Sequence, residues 1–93
     1  MARLLSIIIP SYNEERTIDA ILTRVIKTDI GLWQKEIIIV DDGSTDATCT
    51  ILERYSTHPE CKIIFQKHNG GKGVAERAGI AVAQGDYIIL QDA

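Results

Sequence analysis

Ninety-three residues with a formal charge of −3 allow one small domain, and a chain of this size buries only about 60–68% of its unfolded surface. The acidic balance, without a basic stripe, excludes nucleic acid as the main partner. Asp, Glu, Lys or Arg interrupts every apolar run before it reaches membrane-spanning length.

The start, Met1 to Pro10, resembles a secretory leader only in part. Its apolar core is short, and Asn13-Glu14-Glu15-Arg16 stands where a small-residue cleavage site belongs. Leu4–Ile9 instead predicts a first strand closed by Pro10. Ser11-Tyr12-Asn13 reads as a turn, with Asn13 as N-cap of a helix over about Glu14–Thr28. Ile18, Ile21, Leu22, Val25 and Ile26 recur at helical spacing and form its apolar stripe. Asp29–Gln34 is a connector, in which Gly31 suits a helix end and Trp33 covers the core.

Glu36–Val40 predicts the second strand. Its unbroken Ile37-Ile38-Ile39-Val40 suits a strand covered on both faces. Ser44 or Thr45 is expected to cap a second helix reaching about Ser56, with Ala47, Ile51, Leu52 and Tyr55 inward. Pro59 enforces a loop, and Lys62–Gln66 forms the third strand. After the loop Lys67–Gly73, a third helix runs from about Lys72 to Ala83. Its inward stripe of Val74, Ala75, Ala78, Ala81 and Val82, with Gly79, is small enough for close approach to a sheet. Tyr87–Leu90 is the fourth strand. Cys49 and Cys61 lack zinc-site spacing and read as reduced cysteines of a cytosolic protein.

The order β-α-β-α-β-α-β predicts an α/β fold with parallel strands and right-handed crossovers. Each unusual segment follows a strand: Pro10–Asn13, Asp41–Asp46, Lys67–Gly73 and Gln91–Ala93. In an open α/β sheet these strand ends line one crevice. It would gather Tyr12, Asn13, Glu14, Asp41, Asp42, Ser44, Asp46, Lys72, Asp92 and the Gly70–Gly73 amides. Acidic groups outnumber basic ones, so a bare phosphate is repelled. An Mg²⁺ or Mn²⁺ ion bridging carboxylate to diphosphate reverses the sign, and the set is coherent for a nucleotide diphosphate with metal. Individually the pieces have plainer readings. Asp42-Gly43 is a tight-turn signal. Asp46 is as good a helix cap as a ligand contact. Lys72 stands at even odds with a solvated loop lysine. Gly70-Gly71-Lys72-Gly73 fits an anion cradle but has neither the P-loop nor the dinucleotide spacing. His68 carries no assigned role.

Ile7-Ile8-Ile9-Pro10-Ser11-Tyr12-Asn13-Glu14, Ile39-Val40-Asp41-Asp42-Gly43-Ser44-Thr45-Asp46, Asn69-Gly70-Gly71-Lys72-Gly73 and Gly85-Asp86-Tyr87-Ile88-Ile89-Leu90-Gln91-Asp92-Ala93 together resemble the family 2 glycosyltransferases. Within that family the chain is most similar to the dolichyl- or polyprenyl-phosphate sugar synthases. The resemblance implies a GT-A-type fold, here a Rossmann-like three-layer half-domain with four parallel strands, three helices and strand order 3-2-1-4. It implies a UDP- or GDP-sugar donor, a divalent metal (Mg²⁺ or Mn²⁺) and transfer of a hexose with inversion to a polyprenyl phosphate.

By the same resemblance, Pro10, Tyr12 and Glu14 line the base and ribose pocket. Asp42, helped by Val40 and Asp41, contacts base or ribose, and Lys72 lies near the nucleotide. Asp92 and Ala93 open the family's Asp-x-Asp motif, with Asp92 on the ribose or metal. The second aspartate, the acceptor-binding half and the general base are expected beyond Ala93. Residues 1–93 are therefore expected to be an N-terminal nucleotide-sugar-binding portion, inactive by itself. The implied location is cytoplasmic, at the cytoplasmic face of a membrane where the full-length protein meets a lipid acceptor. The exposed edge of the fourth strand is open to self-association. The alternative is a non-catalytic nucleotide- or phosphate-binding α/β module. A phospho-accepting receiver fits poorly, because its acidic dyad would follow the first strand, where Pro-Ser-Tyr-Asn stands.

Overall fold

The computed structural model describes residues 3–93. Met1 and Ala2, the start of the segment weighed as a leader, lie outside it. The elements are β1 (Leu4–Ser11), α1 (Ile18–Lys27), β2 (Gln34–Asp41), α2 (Thr48–Glu53), β3 (Cys61–Phe65), α3 (Lys72–Val82) and β4 (Tyr87–Leu90). All pairings are parallel, in the order β3-β2-β1-β4, as the family resemblance implied. The β-branched runs of β1 and β2 favour extended backbone, and helices cover both of their faces. Ile7, Ile9, Ile37 and Ile39 pack with Ile18 and Leu22 of α1 and Leu52 of α2. Ile8, Ile38 and Val40 face the other way, onto Ala75 of α3. The result is three layers. Each fully buried isoleucine contributes roughly 1.5–3 kcal/mol over an exposed one.

α3 lies close because it presents almost no side chain. A Cβ on Gly79 would stand 2.6 Å from Ile8 Cγ2. The inward face is narrower than the spacing predicts: Ala75, Ala78 and Gly79 meet the sheet, while Val74, Ala81 and Val82 are exposed. Pro10 does not close β1, which continues to Ser11. The Ile8 carbonyl accepts from the Gln91 amide, and alternation turns the Pro10 nitrogen to the same side. There β4 has already ended at Leu90, so no ladder donor is lost. α1 begins at Ile18 rather than Glu14. Glu14 instead starts a turn, its carbonyl accepting from Thr17 and Ile18 amides. Trp33 packs against Tyr87, ring centroids 5.5 Å apart, with the Arg3 guanidinium 5.8 Å from its ring.

At the amino ends of the strands lies a buried polar cluster that the sequence pattern did not single out. Ser6 and Glu36 are register partners on β1 and β2. The Ser6 hydroxyl donates to Glu36 Oε1 at 2.6 Å, and the Gln84 amide donates to the same oxygen. Lys62 Nζ pairs with Oε2 at 3.0 Å, and the Gly85 amide donates to Ser6 Oγ at 2.8 Å. Burial alone raises the carboxyl's pKa, but the Gln84, Ser6 and Lys62 donors outweigh it and hold Glu36 below its ordinary value. The sequence carried only part of the signal: Ser6 interrupts the apolar run of β1, whereas Glu36 belongs to the polar start of β2.

Among the described residues β4 pairs only with β1, and its four residues stay 42–56% exposed. Among the described residues no helix is long and apolar enough to cross a membrane.

Candidate functional site

The carboxyl ends of β1, β2 and β4 and the start of α3 enclose a cleft of about 280 Å³. Pro10, Tyr12, Glu14, Asp42, Lys72, Asp92 and Ala93 line it, joined by Ser11 and Ala75. The cleft lies where β4 runs beside β1 and the strand order reverses, the place a doubly wound sheet offers a ligand. Of the residues singled out from sequence, Val40 and Asp41 do not reach it. Val40 is fully buried among Ile8, Ile38 and Ala75. Asp41 is 1% exposed, and its carboxylate is taken by the Ser44 amide (3.0 Å), the Ser44 hydroxyl (2.5 Å) and the Cys49 thiol (3.2 Å). Burial and this carboxylate push the Cys49 thiol up to about 11, so it stays protonated. Ser11 and Ala75 were legible in part: Ser11 stands in the first motif, and Ala75 in the inner stripe of α3.

Asp42 is 3% exposed, and both of its oxygens are engaged. Oδ1 accepts from the Gly70 amide at 2.9 Å and Oδ2 from the Gly71 amide at 2.8 Å. The glycine-rich loop is therefore a nest, as its composition suggested, but the anion it cradles is this protein's own Asp42. That contact joins the loop after β3 to the loop after β2 and sets the start of α3. Gly43 makes the approach feasible. Its φ is +77°, and a Cβ there would lie 2.8 Å from the Asn69 nitrogen and the His68 carbonyl carbon.

Asp46 and Asn13 serve the loops. Asp46 Oδ1 accepts from the Thr48 amide at 2.9 Å and the Thr48 hydroxyl at 2.5 Å just ahead of α2, whose N-cap position is Ala47 rather than Ser44 or Thr45. Burial opposes its ionisation, but the Thr48 donors and the Glu15 amide hold its pKa below the ordinary carboxylate value. Asn13 adopts φ 51° and does not cap α1. Its Oδ1 accepts from the Thr45 and Asp46 amides at 2.8 and 3.3 Å.

The remaining lining residues are more open. Tyr12 presents a ring 40% exposed. Glu14 Oε2 accepts the Thr17 hydroxyl proton at 2.9 Å. Lys72 Nζ meets Asp92 Oδ1 at 2.5 Å across the cleft mouth, with the two side chains 58% and 77% exposed. The Asp92 carboxylate beside it raises the Lys72 pKa.

Among the described residues no three acidic, histidine or cysteine side chains converge as a metal cage. Asp92 does supply one exposed carboxylate at the cleft. That donor set suits Mg²⁺ or Mn²⁺, which bind through one or two carboxylates with substrate phosphates and water completing the shell.

Comparison with known proteins follows the same lines. The family model described as "Glycosyl transferase family 2" matches residues 6–93. The poly(ribitol-phosphate) beta-N-acetylglucosaminyltransferase TarS of Staphylococcus aureus strain Mu50 is 32% identical over 88 residues, covering 94% of this chain and 15% of that protein. The dolichyl-phosphate beta-glucosyltransferase ALG5C of Trichomonas vaginalis is 33% identical over 93 residues, covering 92% of this chain and 28% of that protein. In three dimensions, S. aureus TarS 1–349 in complex with UDP-GlcNAc superposes with a TM-score of 0.85 at 32% identity, over 99% of this chain and 26% of that one. The mannosyltransferase PcManGT of Pyrobaculum calidifontis, in complex with GDP-Man and Mn²⁺, superposes with a TM-score of 0.87 at 26% identity, over 99% of this chain and 28% of that one. The chain thus spans less than a third of the length of each of these relatives. The names of TarS and ALG5C give different acceptors, which leaves the polyprenyl-phosphate expectation one of several. Parallel strands in the order 3-2-1-4, a cleft at their carboxyl ends and a family match over nearly the whole sequence agree: the chain belongs to glycosyl transferase family 2.

Proposed function

We propose that the cleft binds the diphosphate and nucleoside of a sugar donor, and that residues 1–93 are the N-terminal nucleotide-sugar-binding portion of an inverting hexosyltransferase. The observation that carries this reading is the convergence of Pro10, Tyr12, Glu14, Asp42, Lys72, Asp92 and Ala93 on one cleft. The likeness to relatives solved with UDP-GlcNAc and GDP-Man supports it. Tyr12 offers an aromatic face to the base and Pro10 an apolar wall. Glu14 accepts from ribose hydroxyls. Asp42 retains lone pairs beyond its two amide bonds and takes a base N–H. Lys72 and Asp92 flank the diphosphate, and Asp92 holds the divalent ion. That ion, when bound, offsets the charge of the departing nucleoside diphosphate.

The acceptor is a phosphate-bearing molecule, a polyprenyl phosphate on this reading. Dolichyl-phosphate and undecaprenyl-phosphate transferases among the relatives favour it, and TarS keeps poly(ribitol phosphate) as the competing class. The general base and acceptor site belong to residues outside this chain.

Isothermal titration with UDP and GDP, each with and without Mn²⁺, tests the donor assignment. One nucleotide is expected to bind, and more tightly with the metal. Absence of heat for both, in this chain and in one extended past Ala93, would overturn it. No sugar transfer is expected from the 93-residue chain; turnover would refute the assignment of the general base elsewhere.

A further inference from the structure

The acidic residues after β2 invite assignment to ligand or metal. Asp41 and Asp46 do something different, in two parallel relays. In the first, the Ser44 hydroxyl gives its only proton to Asp41 and receives the Asn13 amide proton at 2.9 Å. In the second, the Thr48 hydroxyl gives its proton to Asp46 and receives the Glu14 amide proton at 2.9 Å. Each carboxylate thereby fixes the direction of a hydroxyl, which must then act as acceptor. Asn13 closes the clasp from the other side through Thr45 and Asp46. The loop after β1 is thus fastened to the loop after β2 at successive residues, one step along the chain from Tyr12 on one side and two steps from Asp42 on the other.

We infer that this clasp is a positioning device for the donor: Asn13, Ser44 and Thr48 set Tyr12 relative to Asp42, so that base recognition depends on residues that never touch the nucleotide. The inference rests on the donor reading proposed above. Its physical basis is that Asn13 holds a positive φ immediately after Tyr12. The Ser44, Thr45 and Asp46 contacts hold that turn, and losing the Ser44 bond loosens the fixed approach of the aromatic ring to the cleft.

The test is a double-mutant cycle on nucleotide affinity in the full chain, well below the thermal midpoint. Ser44→Ala, in otherwise unchanged protein, is expected to raise the UDP or GDP dissociation constant about fivefold to tenfold, the scale of one lost hydrogen bond. Ser44→Thr, which keeps the hydroxyl, restores affinity. In the Tyr12→Ala background the Ser44→Ala effect should shrink to less than about twofold. Equal effects in both backgrounds, or an unaltered affinity in Tyr12→Ala, would overturn the inference, because the clasp would then not act through Tyr12. Asn13→Gly, which tolerates the positive φ and removes the carboxamide that accepts from the Thr45 and Asp46 amides, provides the same cycle should Ser44→Ala fail to fold. Unchanged protein that binds neither nucleotide refutes the donor reading itself, a result distinct from an additive cycle.

Discussion

The two ends of the sheet both bury carboxylates, and they use them differently. At the amino ends, Glu36 is consumed by three donors from the same chain: Gln84, Ser6 and Lys62. At the carboxyl ends, the buried Asp41 and the partly exposed Asp46 are consumed in the same way, by hydroxyls and amides of their own segment. Asp42 is also hydrogen-bonded, yet it lines the cleft with Tyr12, Glu14, Lys72 and Asp92. A buried charge must be satisfied in either place, so burial of an acid does not distinguish structure from function. What distinguishes Asp42 from Glu36 is the open volume at the acid itself. The carboxyl end surrounds its acid with a cleft, and the amino end packs the turn of Gln84 and Gly85 onto it.

Replacing Glu36 should therefore separate the two ends most sharply. Glu36→Ala leaves the Gln84 amide and Ser6 hydroxyl without their buried acceptor and strips Lys62 of its partner. The expected cost is about 3 kcal/mol, a fall in thermal midpoint of more than about 10 °C for a domain this small. Nucleotide affinity, measured where the variant is folded, should not change. The effect has a pH signature. Because the folded pKa is lowered, the stabilisation is fully present above the unfolded value of about 4.3. It fades as pH falls through the folded pKa. The stability gap between Glu36→Ala and unchanged protein should thus narrow in strongly acid solution. A gap constant down to pH 2, by chemical denaturation, would contradict the network.

The strands were legible because long β-branched runs at regular spacing leave few alternatives; their order, 3-2-1-4, was implied by the family resemblance and not by the runs themselves. The carboxyl-end location of the site followed from topology alone. The roles of particular polar residues were less legible, and for one reason: their partners are distant in sequence. Asn13 reads locally as a helix cap, but its Oδ1 is claimed by Thr45 and Asp46, so α1 starts four residues later than local chemistry predicts. The glycine loop reads as a phosphate cradle, and the anion it holds is Asp42. Val40 and Asp41 share a motif with Asp42, but strand alternation turns Asp41 to the other face, and Val40, on the Asp42 side, lies deeper, buried with Ile8, Ile38 and Ala75. The Ser6–Glu36 pair shows only once the register aligns the two positions.

Gly43→Ala should disturb both properties at once, since it lies under the loop that Asp42 organises. An alanine there takes on a left-handed φ, at roughly 1–2 kcal/mol. It also pushes on backbone atoms of His68 and Asn69 at 2.8 Å, a clash with no flexible side chain to yield. The combined loss is about 2–3 kcal/mol. Displacing the loop also draws Gly70 and Gly71 off Asp42, so nucleotide affinity should fall with stability. Affinity unaltered at a lowered melting temperature would show that the nest has no part in the site, and the two ends of the sheet would then be equivalent in kind.

Lys72→Met should show the reverse pattern to Glu36→Ala. Lys72 and Asp92 are both well exposed, and pairs of this kind contribute little to folding because water and salt screen them. The melting temperature is expected to stay where it is. The cleft, however, holds Glu14, Asp42 and Asp92 against this single lysine, and removing its charge leaves a diphosphate facing carboxylates only. Affinity for UDP or GDP should drop, and added salt should no longer weaken it, since only repulsive charges remain to be screened. Metal-free titrations at two ionic strengths read this directly. Equal salt dependence in the two proteins would mean that Lys72 does not face the phosphates, and that its pairing with Asp92 is a surface contact of no consequence to binding.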